Sequence, residues 1–282
     1  MNISSIEDEI IKYNNSPQEK LSGLTPSQTN ELIHNPLGEC SCIKFRSDIT
    51  FETLNEIPFF RLCEALLKII HRDGFIKLTP LGALPKKILI ELYDFRFIID
   101  EHIESGINKL YHEDNCISVK TAKIVCESTN LVRKSKGKLL LTKNGEKILK
   151  SENRVELFKV IFTAFTEKFN WAYNDGYAEE PVGQYGYLFT IYLLKTYGKD
   201  ENFTNFYASK YLQVFEKFIT LFNDDYTTSE EQFNNCYMVR TFERFTEWFG
   251  LTRINGKNNY FDHENAKIVK TKLLDMIFNY EP

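Results

Sequence analysis

The chain has 282 residues, of which 43% are hydrophobic and 26% charged, and its formal net charge is −4 at pH 7. This composition is typical of a globular protein and excludes an intrinsically disordered chain. No apolar run is long enough to predict a membrane span. The polar first residues lack the basic and apolar regions of a secretion signal, so the six scattered cysteines predict reduced thiols in a cytoplasmic protein of two or three domains.

A short phrase occurs twice, as GFIKLTPLG at residues 74–82 and as GKLLLTKNG at residues 137–145. Each copy reads as a glycine, a short apolar strand and a threonine that begins a new helix. A threonine hydroxyl at this position accepts a hydrogen bond from an early helix N–H group. The repeat predicts two copies of one small helical module, with Thr79 and Thr142 in equivalent capping positions.

Helical periodicity and turn residues predict the elements of the first half of the chain. The predicted helices cover residues 26–33, 59–70, 80–93, 100–111 and 119–129, and residues 75–78 form a short strand. The apolar runs 131–134 and 138–141 flank a loop that contains Gly137, which predicts a β-hairpin.

The second half of the chain is helical and rich in aromatic residues. Its predicted helices cover residues 155–173, 185–197, 203–222, 238–249 and 264–278. Residues 251–254 and 259–261 flank Asn255-Gly256, which is a strong hairpin signal with Gly256 at positive φ. The order helix, hairpin, helix therefore recurs at the end of the chain.

These elements predict a mainly α protein with short β-hairpins, in which two or three winged-helix-like modules surround an aromatic-rich helical segment. Residues 1–98 form a degenerate module in this prediction, and residues 99–150 form a module with a basic wing. Residues 151–282 form an aromatic helical domain that ends in a third helix–hairpin–helix.

The Leu-Thr-x-x-Gly phrase after a short strand resembles the wing end of bacterial winged-helix proteins, which include transcription regulators. The whole chain resembles an uncharacterised bacterial family with tandem winged-helix-like modules, through residues 77–85 and 170–173. The resemblance implies a fold but no activity, since none is known for that family. The first copy departs from the pattern because it lacks an obvious wing.

Positive charge is concentrated in one part of the sequence. Residues 118–150 hold nine Lys or Arg and two Glu, a net charge of +7, which leaves −11 for the rest of the chain. If Val119, Ala122 and Val125 face the core, the lysines of the same helix face outward. The candidate nucleic-acid contacts are Lys120, Lys123, Arg133, Lys134, Lys136 and Lys138, because cations on a helix and a wing neutralise phosphates.

Two alternatives to nucleic-acid contact stay open for these cations. They are either solvated lysines on a structural module or partners of acids elsewhere in the chain, such as Asp100, Glu101 and Glu104. The helix offers no Arg, Asn or Gln for base-edge contacts, so sequence-specific recognition is not predicted.

Other candidate sites are weaker. The aromatic run 169–177 predicts either a ligand groove or, more simply, an aromatic core. His34 with Cys40 and Cys42 offers metal-binding atoms without the paired Cys-x-x-Cys of a zinc site, so we predict no metal and no cofactor.

The cysteines at helical apolar positions predict buried thiols, and no catalytic motif is present, although a site assembled from distant residues leaves no local trace. We therefore predict a non-enzymatic bacterial cytoplasmic binding protein. Its partner is an unidentified protein or a second copy of the chain, nucleic acid is the alternative, and no membrane is involved.

Overall fold

A computed structural model describes residues 3–150, 152, 154–173, 175–177, 180–223, 227–257 and 263–282. Helices dominate these residues, and the strands are short and antiparallel, which confirms the predicted fold class of a mainly α protein with short β-hairpins. Among the described residues, no helix combines the length and the apolar character needed to cross a bilayer.

The α-helices follow one another through the whole chain. In chain order they are α1 (Ile3–Asn14), α2 (Pro26–His34), α3 (Phe51–Asn55), α4 (Pro58–Asp73), α5 (Lys86–Asp94), α6 (Glu101–Glu104), α7 (Ile117–Ser128), α8 (Lys143–Ile148), α9 (Arg154–Thr163), α10 (Tyr187–Tyr197), α11 (Thr204–Val214), α12 (Ser229–Tyr237) and α13 (Lys272–Ile277). Two of them continue as π-helical turns, α9 through Ala164–Lys168 and α12 through Met238–Thr246.

The strands form three small antiparallel sheets. They are β1 (Ile43–Phe45), β2 (Ile76–Lys77), β3 (Val132–Ser135), β4 (Lys138–Leu141), β5 (Asn202–Phe203), β6 (Thr252–Asn255), β7 (Lys267–Lys270) and β8 (Phe278–Tyr280). The strand orders are β1–β8, β2–β4–β3 and β5–β7–β6.

The chain divides into two compact units, a central unit of residues 48–170 and a discontinuous unit of residues 1–47 and 171–282. The three predicted segments, 1–98, 99–150 and 151–282, stay a prediction. The structure adds that strands from the first two segments pair in one sheet, since β2 lies beside β4.

The central unit is built on α4. Pro58 begins this helix at a position where a missing N–H group costs nothing, and Gly74 ends it with φ +75°. Its apolar face packs on α7 and on the aromatic side chains of the α9 helix and its π-helical continuation. Phe59 contacts Phe165, with ring centroids 5.0 Å apart, and these side chains are almost completely buried.

The predicted hairpin of the central unit is confirmed as β3 and β4. Lys136 and Gly137 connect the strands, both with positive φ, as expected for a primed two-residue turn. Thr142 ends the hairpin and begins α8, and its hydroxyl accepts a hydrogen bond from the N–H of Gly145 at 3.0 Å. The predicted helix cap at Thr142 is therefore confirmed.

The repeated phrase does not mark two equivalent positions, and this prediction was wrong. Its two apolar runs are β2 and β4, which are neighbours in the same sheet, with Ile76 opposite Leu139. Thr79 caps no helix, because residues 79–83 form a turn in which its hydroxyl accepts from the N–H of Ala83. Helix α5 starts only at Lys86, after Pro85. The first copy of the phrase has no hairpin of its own, because its strand, β2, is the third strand of the sheet that contains the β3–β4 hairpin.

The helix predicted for residues 100–111 is also wrong beyond its first turn. Only α6 is helical there, and Gly106, with φ +77°, follows its end. Asp100 caps α6 by accepting hydrogen bonds from the N–H groups of His102 and Ile103.

The discontinuous unit repeats the order of elements of the central unit. Helix α10, strand β5, helices α11 and α12, and the strands β6 and β7 follow one another. In the central unit the order is α4, β2, α5, α7, β3 and β4, with the one-turn α6 inserted between α5 and α7. In both three-stranded sheets, the strand that comes last in the sequence, β4 or β7, lies between the other two. The core of the discontinuous unit is aromatic, with Tyr211 and Tyr237 fully buried and their ring centroids 4.8 Å apart.

The predicted strand before Asn255-Gly256 is confirmed as β6, and Gly256 has φ +78° as expected. The second predicted strand, residues 259–261, lies outside the described residues, and the partner of β6 is β7. The helix predicted for residues 264–278 is therefore wrong in its first half. Thr271 begins the shorter α13 by accepting from the N–H of Leu273.

Candidate interaction surfaces

Helix α7 is the centre of the predicted nucleic-acid site, and it is enclosed. All of its twelve residues are described, and each is either buried or half-buried. Val119, Ala122 and Val125 face the core as predicted, and α7 contacts α4, α5, β3 and the π-helical turn that follows α9. The half-buried residues lie along one face of the helix, and none of them is fully exposed there: Ile117, Lys120, Ile124, Glu127 and Ser128.

The prediction that Lys123 faces solvent was wrong. Its ammonium lies 2.7 Å from the Glu113 carboxylate, and the two side chains are 7% and 4% exposed. The same ammonium donates a hydrogen bond to the carbonyl of Gly82 at 2.9 Å. The turn at Glu113–Asn115 and the turn of residues 79–83 both contact Lys123, so this cation belongs to the interior of the unit.

Two further cations of the predicted nucleic-acid site are paired with acids. Lys120 forms an ion pair with Asp114, and its hydrogen bond lowers the pKa of that carboxyl group. Lys134 lies 2.9 Å from the Glu127 carboxylate. Lys120, Lys123 and Lys134 are thus paired with acids that are close to them in sequence. Glu104, one of the predicted partners, instead binds Arg96.

The remaining cations of the predicted site lie on the hairpin. Arg133 and Lys136 are exposed, and the ammonium of Lys138 lies 3.7 Å from the ring centroid of Phe75. The six predicted residues therefore do not share one exposed face. Contact between the hairpin cations and nucleic acid stays a prediction.

A cleft of about 760 Å³ in the central unit was not predicted from the sequence. Three separate segments line it, namely residues 51–72, the turn after α5, and the end of α8 with the start of α9. Its aliphatic lining consists of Ala65, Ile69, Ile148, Leu149 and Leu157. Phe51 and Phe95, 42% and 47% exposed, add aromatic surface.

The lining of this cleft is basic. It contains Arg61, Lys68, Arg72, Lys150 and Arg154, and Glu64 is the one acidic residue among those that line it. We call these five residues the cleft cations. They come from two of these segments, α4 and the end of α8 with the start of α9, so they form no single cluster in the sequence. The signal that sequence reasoning missed is that Arg61, Lys68 and Arg72 share one face of α4.

Hydrogen bonds order the polar side of the cleft. The guanidinium of Arg154 donates to both carboxylate oxygens of Glu64, at 2.8 and 3.2 Å, and Lys68 lies 3.0 Å from the same group. Burial raises the pKa of Glu64, but the bonds from Arg154 and Lys68 outweigh it and hold the pKa below its ordinary value. Arg72 pairs with Glu91 and Asp73.

The aromatic side of the cleft is also ordered. The rings of Phe95 and Phe97 stack with centroids 5.3 Å apart and an angle of 3° between their planes. The guanidinium of Arg61 lies 4.1 Å from the centroid of Phe97. This cation–π contact positions Arg61 beside the two rings.

The aromatic run at residues 169–177 contributes mainly to the interior. Trp171 is 2% exposed and contacts Phe245, with centroids 4.8 Å apart. Asp175 forms an ion pair with Arg240 in which both side chains are fully buried. Asn174 lies outside the described residues. The simpler interpretation, an aromatic core, accounts for these contacts.

The thiols have the environment of packing residues. Five of the six cysteines are buried, and Cys40 is exposed. Burial raises the pKa of Cys42 to about 11 and that of Cys236 to about 12, so both stay protonated at neutral pH. Among the described residues, no three His, Cys, Asp or Glu side chains are arranged to hold a metal ion. His34 lies beside Tyr185.

Comparison with known proteins gives one match. The family model described as the Y4jL N-terminal domain, an uncharacterised family, matches residues 55–154. This segment contains α4, α7, the β3–β4 hairpin and most of the cleft lining. Neither a curated protein nor a solved structure shows significant similarity to the chain. The chain is therefore similar, over this segment, to an uncharacterised family, and no activity accompanies the similarity.

Proposed function

We propose that this chain is a non-enzymatic binding protein of the bacterial cytoplasm whose partner is another protein. The observation that carries the proposal is the enclosure of α7. A recognition helix that reads DNA lies in the major groove with exposed side chains. Helix α7 has no exposed residue along its described length, and its two lysines are neutralised by Glu113 and Asp114.

The winged-helix-like interpretation of the fold is part of the same proposal. Its support is the shared order of helix, strand, two helices and hairpin in the two units, and the shared strand order of their sheets. This order favours two modules over three. In the second module, α12 and its π-helical turn expose only Glu230 among residues 229–246, all of which are described. A fold of this kind also serves protein–protein contact.

Nucleic-acid binding is the second candidate function, and the exposed hairpin supports it. Arg133 and Lys136 lie at the surface and are able to contact phosphates without any help from α7. Such binding would depend on charge alone and would be independent of sequence.

A titration of labelled mixed-sequence duplex DNA with the full chain separates the two functions. The protein-binding proposal predicts no complex at moderate salt and no difference between the native chain and the variant Lys134→Glu/Lys136→Glu/Lys138→Glu. Nucleic-acid binding predicts a complex that weakens steeply with salt, because neutralised phosphates release counterions, and that the triple variant loses. A complex that persists at moderate salt and disappears in the triple variant would refute the proposal.

A further inference from the structure

We propose that the cleft of the central unit binds a short acidic peptide segment of a partner protein, one that also carries aliphatic or aromatic side chains. This inference rests on the proposed protein-binding function and names the surface that performs it. It follows from the charge of the cleft, its apolar lining and its length.

Charge complementarity favours an acidic occupant. Five cations and one carboxylate line the cleft, on a chain whose formal net charge is −4. Glu64 is already shared by Arg154 and Lys68, so its charge is neutralised. No ion pair is found for Arg61 or Lys150 among the described residues, which leaves their charges available to a carboxylate. Complementary potentials of this kind attract and orient a partner.

The apolar part of the cleft favours a peptide that bears apolar side chains. Ile69, Ile148 and Leu157 are 3%, 7% and 1% exposed and form a packed aliphatic wall. Phe51 and Phe95 keep almost half of their surface in solvent. Covering these two rings with an apolar side chain would remove their exposed surface from water, which favours binding.

The same features disfavour a single-stranded nucleic acid. Bases bind such grooves by stacking on aromatic faces. The Phe97 ring already contacts Phe95 and Arg61, so Phe51 and Phe95 are the two rings left in solvent, and aliphatic side chains line the cleft beside them. Aliphatic side chains of a peptide fit this lining better than bases do.

The length of the basic stripe sets the size of the occupant. Arg61 and Arg72 are eleven residues apart on α4, which spans roughly 16 Å at 1.5 Å per residue. This distance corresponds to about five residues of extended peptide at 3.3 Å each. A segment of this length spans the stripe, in which Arg72 already pairs with Asp73 and Glu91 and Arg61 has no ion pair among the described residues.

Selection from a random peptide library with the full chain as bait tests the proposal, because it identifies the probe without assuming a partner. A fluorescein-labelled peptide from the selection is then titrated into the native chain and into Arg61→Glu/Lys68→Glu. The matched control is Lys136→Glu/Lys143→Glu, which makes the same charge change at two exposed lysines outside the cleft. Thermal unfolding of each variant checks that it is folded.

We expect selected peptides that combine Asp or Glu with Leu, Ile or Phe, binding roughly tenfold or more weakly to Arg61→Glu/Lys68→Glu and unchanged to the control. Selection of neutral or basic peptides would overturn the proposal, and so would equal binding by the native chain and the cleft variant. Cleft-dependent binding of labelled oligothymidine in place of peptide would overturn it as well. A failure of the proposed protein-binding function gives a different result. It appears as DNA binding by the native chain that the variant Lys134→Glu/Lys136→Glu/Lys138→Glu loses.

Discussion

The six cations of the predicted nucleic-acid site, which we call the basic island, and the cleft cations differ in how they are arranged. In the island, cations are dense in the sequence, yet they do not share one face. Lys123 is buried against Glu113, Lys120 and Lys134 have acidic partners, and Arg133 and Lys136 are exposed on the hairpin. The cleft cations come from two segments, yet they line one cavity with Glu64. The density of charge along a sequence therefore does not predict one shared charged face, because the packing of each helix decides which side chains reach solvent.

The two helices that carry these cations show the reason. Helix α7 has no fully exposed residue, and its contacts with α4, α5, β3 and the π-helical turn after α9 enclose Lys123 with Glu113. Helix α4 buries its apolar face and leaves Arg61, Lys68 and Arg72 along the cleft. Three substitutions of charged residues test this contrast, and a fourth, at Thr142, tests a helix cap of the same unit. They follow in order of decreasing expected effect.

Replacement of Lys123 by Met should lower the free energy of unfolding by about 3–5 kcal/mol, because it leaves the buried Glu113 carboxylate without its cation. Urea denaturation measures the loss. The double variant Lys123→Met/Glu113→Leu removes both charges and should recover most of it. A loss below about 1 kcal/mol in the single variant would mean that Lys123 lies in solvent, as the island interpretation requires.

Glu64→Gln should lower the free energy of unfolding at neutral pH by about 2 kcal/mol, because glutamine has a single acceptor oxygen and no charge. Arg154 would lose one of its two hydrogen bonds, and the other would lose its ionic partner. The folded-state pKa of Glu64 lies below its ordinary 4.5, so its carboxylate stabilises the fold above that pH. This contribution disappears as the pH falls from about 4.5 through the folded-state pKa. Denaturation curves of both proteins should converge there. A difference that is constant with pH would contradict this account.

Thr142→Ala should cost about 1 kcal/mol of stability, because Gly145 loses the acceptor of its N–H group at the start of α8. Chemical denaturation measures this change. Thr142→Ser keeps the hydroxyl and serves as the control, with a smaller loss. If alanine and serine behave alike, the hydroxyl does not cap the helix in solution.

Lys134→Ala should change stability by less than about 0.5 kcal/mol, although Lys134 forms an ion pair just as Lys123 does. Its side chain is 49% exposed, so water screens the pair with Glu127. The same urea experiment, repeated with added salt, should show no further change. An effect as large as that of Lys123→Met would remove the distinction between enclosed and exposed cations within the island.

Local signals in the sequence predicted much of the fold. Helices α4 and α7 follow from apolar residues at helical spacing, and the β3–β4 hairpin follows from a glycine between two apolar runs. The Thr142 cap needs only its own first helical turn. In each case the residues that decide the structure are neighbours in the chain.

Features that depend on distant residues were missed. The pairing of β2 with β4 joins residues that are more than sixty positions apart, so the repeated phrase was interpreted as two modules. Residues 267–270, predicted as part of a helix, form a strand because β6 pairs with them. The enclosure of Lys123 depends on Gly82 and Glu113, which come from two separate turns. The cleft depends on three segments, of which only the stripe on α4 is visible in the sequence.

Covalent labelling of lysines in the native protein shows most directly which cations of the two clusters are enclosed. Brief acetylation followed by peptide mass spectrometry gives a modification rate for each lysine. We expect rapid modification of Lys68 in the cleft, whose side chain is 60% exposed, and of Lys136, the exposed lysine of the basic island. We expect Lys123 to stay unmodified until the protein is unfolded in urea. Modification of Lys123 in the native protein as fast as that of Lys136 would contradict the account.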